Sequence, residues 1–148
     1  MHTCSFFGHS LCPDSIKPVL KKNIEELIKC GINCFLLGDR GDFDILVLKT
    51  IKDLQEEYEF SYKIILSYIP QSKSCFTNDP HSIYPEELAV VPKRFAIEYR
   101  NRYLVENSDC FICYITHNYG GAVKFARKAK RMGKTVINIS DNADEVGL

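Results

Sequence analysis

The stretch Ser108–Asn138, SDCFICYITHNYGGAVKFARKAKRMGKTVIN, decides the fold. Asp109–Ile115 reads as a strand whose residues from Cys110 onward are an unbroken apolar run, as expected of a strand buried on both faces. Gly120-Gly121 interrupts it. Phe125, Ala126, Ala129 and Met132 then recur at helical spacing within Gly121–Met132, Gly133 stops the helix, and Thr135–Ile139 is a second apolar strand. The double glycine is either a backbone cradle for a phosphate or only a tight turn, and the functional reading depends on which.

The remainder of the chain repeats the alternation. Thr3–Phe7 is a short apolar run ending at Gly8. Ile16, Leu20, Ile24, Leu27 and Ile28 mark a helix over about residues 14–30, with Pro18 in its first turn and Gly31 beyond its end. Asn33–Leu37 is a second strand, broken by the sequence GDRGD. Phe43, Leu46, Val47, Thr50, Ile51, Leu54 and Tyr58 form the next helical stripe, and Tyr62–Tyr68 is a third strand stopped by Pro70. Residues 70–91 contain Pro80 and Pro85 and read as a long loop or a short helical excursion. Pro92–Asn107 is helical, with Phe95, Tyr99 and Tyr103 four apart, and leads into the fourth strand. The polar, acidic sequence SDNADEVGL makes residues 140–148 a loose tail or frayed turn. Strands alternating with helices predict a Rossmann-like three-layer α/β/α sandwich, a mainly parallel sheet of about five strands, in one domain spanning 1–148.

Composition narrows the class. Nineteen basic and nineteen acidic residues cancel, so no global field steers the chain to nucleic acid or an acidic membrane. The N-terminus lacks a charged leader and no run approaches a membrane span, which predicts a cytoplasmic protein. Seven cysteines, an odd number set largely in apolar runs, fit reduced and buried thiols. Cys110 and Cys113 spell C-x-x-C, but three residues apart on a strand they face opposite ways and cannot share one metal. Neither a metal site nor a cofactor is expected.

In open α/β sheets ligands bind beyond the carboxyl ends of the strands, where strand order reverses. With the first and fourth strands adjacent there, the turns Gly8-His9-Ser10 and His117–Ala122 meet at one crevice, alongside Gly38–Asp44. Glycines let backbone approach an anion, and a helix N-terminus adds about half a positive charge. Gly8, His9, Ser10, Gly38, Asp39, Gly41, Asp44, Gly120, Gly121 and Ala122 are therefore candidate ligand-binding residues, joined by Arg100 and Asn101 on the preceding helix. A guanidinium can hold a phosphate at two points; the bland alternative for Arg100 is a surface ion pair with Glu98. Asp39, Asp42 and Asp44 lack the spacing of a calcium loop, and Asp44 also suits a helix start. His9 is a donor or acid–base candidate, whereas His2, His81 and His117 have no evident partners. Lys124, Arg127, Lys128, Lys130, Arg131 and Lys134 fall in one acid-free window, first a solvated face and second a surface for a phosphate-rich partner.

From Thr3 to Ile139 the chain resembles the SLOG superfamily, and most closely its YpsA-like branch. The resemblance rests on CSFFGH, FLLGDRGDFD, YPEELAVVPKRFAIEYRNRYLVENSDCFICYI and GGAVKFARKAKRMGKTVINI, taken in order. It implies a Rossmann-like domain that binds nucleotides or nucleotide-derived ligands. That superfamily includes the LOG phosphoribohydrolases, which release the base from a nucleoside monophosphate, and the DprA group, which binds single-stranded DNA. LOG enzymes pair an arginine on the helix before the fourth strand with a glutamate of P-G-G-x-G-T-x-x-E. Arg100 matches that arginine. The sequence NYGGAVKFARKA has neither the G-T step nor the glutamate, leaving Asp44, Asp39 or Glu98 as substitutes. Relatives often carry Gly-Gly-Ala where this chain has Leu37-Gly38-Asp39, and a carboxylate there suits ribose hydroxyls better than phosphate.

Three functions are consistent with these residues. The first is binding or sensing of a nucleotide-like small molecule at the strand ends, without a required catalytic group. The second is hydrolysis of an N-glycosidic bond in a nucleotide, which needs an acid in the pocket. The third is single-stranded nucleic-acid binding through residues 124–134. Related folds are often dimeric, so self-association is an expectation by analogy alone.

Overall fold

The computed structural model describes residues 2–67 and 74–148. Chain order is β1 (Thr3–Gly8), α1 (Lys17–Lys29), β2 (Cys34–Leu37), α2 (Gly41–Leu54), β3 (Ser61–Ile65), β4 (Ser82–Ile83), α3 (Ala96–Glu106), β5 (Cys110–Tyr114), α4 (Gly121–Arg131), β6 (Thr135–Asn138) and the short α5 (Ala143–Val146). The strands form one sheet in the order β4-β3-β2-β1-β5-β6, with every neighbouring pair parallel. This is the Rossmann-like sandwich expected from the alternation, with six strands instead of about five.

Two-residue periodicity sorts the core. Cys4 and Phe6 of β1 and Cys110 and Ile112 of β5 join Leu20, Ile24, Phe43 and Val47 of α1 and α2 in one cluster. Phe7, Phe111 and Cys113 join Leu104, Val123, Phe125, Ala126 and Ala129 of α3 and α4 in the other. Successive strand residues point to opposite faces, so Cys110 and Cys113 are separated by the sheet, as their spacing requires. Phe7 stacks on Phe111 at 5.4 Å and on Phe125 at 6.1 Å between ring centroids, tying β1, β5 and α4 together. Truncating such a ring to alanine costs about 3–5 kcal/mol.

Pro18 lies in the first turn of α1, where its missing N–H costs nothing. The proline-rich stretch, expected to be a long loop or a short helical excursion, has regular structure among its described residues. It contains β4, a two-residue edge strand, and a 3-10 turn over Glu86–Val90. Tyr68 and Pro70, expected at the end of the third strand, lie outside the described residues. Asn142 and Ser140, expected in a loose tail, make defined hydrogen bonds. Ser140 Oγ donates to Ile115 O at 2.8 Å, and Asn142 Nδ2 donates to Thr116 O at 2.9 Å. Val146 and Leu148 pack against the second core cluster.

A buried carboxylate fastens the sheet's β4 edge. Asp79 accepts hydrogen bonds from Tyr62 Oη at 2.7 Å and from the backbone N–H and ring Nδ1 of His81, both at 2.8 Å. Lys52 Nζ lies 3.4 Å away. Burial by itself raises the Asp79 pKa; these donors outweigh it and hold the group at about 2. A depressed carboxylate contributes stability above its unfolded value, near 3.9, and loses it as pH falls through the folded value. Asp79→Asn is expected to lose about 1–3 kcal/mol at pH 7 and to show a flatter stability profile between pH 4 and 2 than wild type. Chemical denaturation across that range measures both; parallel profiles would remove Asp79 from this role.

Candidate ligand crevice at the sheet reversal

The sheet grows from β1 through β2 to β3 and then resumes on the other side of β1 with β5. The chain leaves β1 toward the α1/α2 layer and leaves β5 toward α4, so the two exits diverge and open a gap. A cavity of about 600 Å³ occupies it. It is lined by Gly8, His9 and Ser10 after β1, Gly38, Arg40 and Asp44 after β2, Arg100 and Asn101 of α3, Thr116 and His117 after β5, and Gly120–Ala122 at the start of α4.

Glycine is needed here for different reasons at different positions. A Cβ on Gly8 would lie 2.2 Å from Phe43, and one on Gly41 would lie 2.8 Å from Ser10 Cα. The second approach holds the β2–α2 turn against the β1 turn, where Asp42 N also donates to Ser10 O at 2.7 Å. Gly120 has φ of 101°, a conformation that favours glycine, whereas a Cβ on Gly121 would meet nothing within 4 Å. The double glycine is therefore a required turn followed by an open helix start. Gly120 supplies no side-chain cap, and Gly121 and Ala122 line the crevice at the positive end of the α4 dipole.

Arg100 is buried, and its partner is Asp39 at 2.6 Å, in place of the surface pair with Glu98. Glu98 instead pairs with Lys124 on the outside. Arg100 Nε donates to Asn101 Oδ1 at 2.9 Å, and Nη1 also approaches Ile65 O at 3.5 Å. Asp39 accepts from Ser67 N and Oγ at 3.0 and 3.2 Å. Thus Asp39, expected beside a ribose, is engaged by Arg100 and Ser67 and is not among the residues that line the cavity. Gly41 likewise shapes the wall without lining the cavity. No hydrogen bond from Arg100 Nη2 is made among the described residues, which leaves that edge of the guanidinium for the crevice.

Asp44, in the first turn of α2, is the acid that lines the cavity. Its Oδ2 accepts from Arg40 N at 3.0 Å. Burial pushes it up to about 6, against the opposing charge of Arg100 and the Arg40 N–H. A Cβ on Gly38 would sit 2.5 Å from Asp44 Oδ2 and 3.0 Å from Arg100 Nη1, so only glycine at 38 lets these groups converge.

The histidines show what separation in sequence concealed. His9 and His117 stack with centroids 3.8 Å apart and planes 12° from parallel; His117 and Tyr119 stack at 3.8 Å and 21°. Thr116 N donates to His9 Nε2 at 3.0 Å, so the proton of neutral His9 resides on Nδ1. Burial and then the His117 charge lower the His9 pKa, which keeps it neutral. His117 Nδ1 is buried without a hydrogen-bond partner among the described residues. Asn138 fixes this loop by accepting from Ile115 N and donating to Ile115 O, at 3.0 and 2.9 Å. Neither His81, bound to Asp79, nor His117 is without neighbours, contrary to expectation. An H-x-Y pair just before a glycine-opened helix was the available sequence signal.

Beyond the crevice, Arg127, Lys130 and Arg131 are exposed on α4, while Lys134 Nζ donates to Val105 O at 2.5 Å. Among the described residues no cluster of three or more His, Cys, Asp or Glu side chains is placed to hold a metal, and no helix is long and apolar enough to cross a membrane.

The fold and crevice define an open, doubly wound parallel sheet with a cavity at its strand-order reversal. Among solved structures, it is similar to DNA processing protein A (DprA) from Streptococcus pneumoniae, with a TM-score of 0.66 and 14% identity over 92% of this chain and 49% of that one. It is also similar to the Helicobacter pylori DprA described for its single-stranded DNA binding mode, with a TM-score of 0.57 and 16% identity over 91% of this chain and 63% of that one. The chain thus spans about half of the first and under two thirds of the second. These likenesses establish that the chain shares a fold with part of DprA. No protein-family model matches the chain, and no curated protein matches it.

Because ionised Asp44 is the disfavoured form in the folded protein, its own contribution to stability falls as pH rises from about 4 through 6. Asp44→Asn is expected to be more stable than wild type at pH 7, by on the order of 2 kcal/mol, with the difference shrinking toward pH 4. Melting temperatures at the two pH values test this. A variant equally destabilised at both would show that Asp44 is a structural anchor.

Proposed function

We propose that this chain binds nucleotide units, and that it takes them chiefly as single-stranded nucleic acid. The observation that carries the reading is the continuity of α4. The helix begins at the crevice with uncapped, glycine-bearing backbone and then presents Arg127, Lys130 and Arg131 to solvent along its length. A phosphate at the helix start is met by N–H groups, the helix dipole and the open edge of Arg100. Neighbouring phosphates of the same strand continue past the cations, a local attraction that net neutrality does not cancel. The DprA-like fold supports this as analogy, since the Helicobacter pylori protein is described as binding single-stranded DNA. A free nucleotide-like small molecule uses the same crevice without the helix face.

Two substitutions separate the contributions. Gly121→Val places a side chain where space is now open, so the protein should fold while losing crevice binding. Changing Arg127, Lys130 and Arg131 to glutamine should weaken single-strand binding and flatten its salt dependence by roughly 0.7 for each phosphate no longer neutralised. Fluorescence anisotropy over a salt series reads both. Normal single-strand affinity in the Gly121→Val variant would displace the site from the crevice. An unchanged salt slope in the triple variant, with mononucleotide binding retained, would leave the small-molecule form.

A second reading, cleavage of a nucleotide N-glycosidic bond, is favoured by Asp44. Glu98 faces outward and Asp39 is held by Arg100, so Asp44 is the carboxyl group facing the crevice. With a pKa of about 6 it can give a proton to the departing base as the bond to the sugar carbon breaks. Water bonds to that carbon, and the resulting carboxylate takes the proton that the water releases. Base release from nucleoside monophosphates should then decline above pH 6 and be abolished in Asp44→Asn. Release at the same rate in that variant would end the reading.

A further inference from the structure

We propose that the outer face of Tyr119, backed by His117 and His9, is a nucleobase-stacking site for the nucleotide whose phosphate lies at the start of α4; this deepens the nucleotide-binding reading and rests on it. Two near-parallel contacts at 3.8 Å, one on each side of the His117 ring, fix the order as a column: His9, His117, Tyr119. The column is rooted in the sheet. His9 meets the edge of Tyr114 at 6.3 Å and accepts the Thr116 N–H. Its outer end is open, for Tyr119 is 69% exposed.

An aromatic ring that exposed adds little to a core, yet here its inner face is held by a second ring and the loop beneath it is pinned. Asn138 brackets Ile115, while Ser140 and Asn142 donate to the carbonyls of Ile115 and Thr116. Such a platform loses little freedom when a planar ligand covers it. His117 Nδ1 remains buried within the column without a hydrogen-bond partner among the described residues, a cost that this arrangement carries.

The neighbouring chemistry selects the kind of ring. Tyr119 immediately precedes Gly120, so the stacking face and the uncapped helix start are separated by one residue. A ligand that reaches both places carries a flat π system and an anion, as a nucleotide does. The exposed cations of α4 favour a polyanionic strand over an apolar peptide. Stacking on a tyrosine face tolerates every base, so binding should show little sequence preference.

The test compares a single-stranded oligodeoxyadenylate of roughly twelve nucleotides, within the usual site sizes, with an abasic strand of equal length and charge. Adenosine monophosphate and ribose 5-phosphate form a parallel pair. Wild type should prefer the base-bearing member by about tenfold or more, Tyr119→Ala should lose that preference, and Tyr119→Phe should keep it. Preference within the strand pair alone assigns a strand; preference within both pairs assigns the nucleotide unit itself. The chain has no tryptophan, so Tyr119→Trp carries a single indole whose emission should be quenched by the adenylate strand and not by the abasic one. Strands that bind equally well with or without bases, or Tyr119→Ala that still discriminates, would overturn the stacking site while leaving the phosphate site intact. Failure of wild type to bind any of the four probes would overturn the nucleotide-binding reading, and this inference with it.

Discussion

The adjacency of β1 and β5 is the constraint on which the rest of the structure depends. Their five-residue register, Cys4↔Cys110 through Gly8↔Tyr114, brings the ends of two distant chain segments to one line. Because the helices that follow cover opposite faces, neither exit can close the space above the strand ends. The sandwich must therefore carry a gap there, and its chemistry is set by the side chains and bare backbone that the turns bring to it. Phe7, stacked on both Phe111 and Phe125, makes the adjacency rigid by linking the two strands to the helix that opens beside the gap.

Around this gap the protein maintains arrangements that stability alone would not favour. Arg100 and Asp39 are removed from water, and their attraction must first offset desolvation. Asp44 is held near them with its charge disfavoured by burial, and Gly38 gives up a side chain to let the groups meet. His117 keeps a nitrogen without a hydrogen-bond partner among the described residues. Buried polar groups that face a cavity together with perturbed carboxyls are the pattern by which functional sites are recognised. Asp79 is the instructive contrast. Its carboxylate is equally hidden, but four donors surround it and its pKa is lowered; it fastens an edge strand.

Much of the fold was legible because its elements are long enough to show a period. The alternating faces of β1 and β5, the stripes of α1 and α2, and the glycine before α4 each state their structure locally. β4 was invisible because two residues between prolines have no periodicity to read. Of the candidate site residues, ten line one cavity, since the rule that places ligands at a strand-order reversal needs only element order. Asp39 and Gly41 do not line it. The pairing of Asp39 with Arg100, 61 residues apart, and the stacking of His9 on His117 depend on how layers fold over one another. No local pattern encodes them. The C-terminal segment misled for a related reason: its composition is that of a tail, while Ser140 and Asn142 act through hydrogen bonds to a loop some 25 residues earlier.

We propose that the crevice between β1 and β5, continued along α4, receives a nucleotide. Backbone amide shift mapping of the protein with a single-stranded oligonucleotide addresses it most directly, because it reports location without substituting any residue. The largest changes are expected in Gly8–Ser10 and Thr116–Val123, with smaller ones along the exposed side of α4. Changes confined to α1, α2 or the β4 edge, with the crevice amides unmoved, would contradict it.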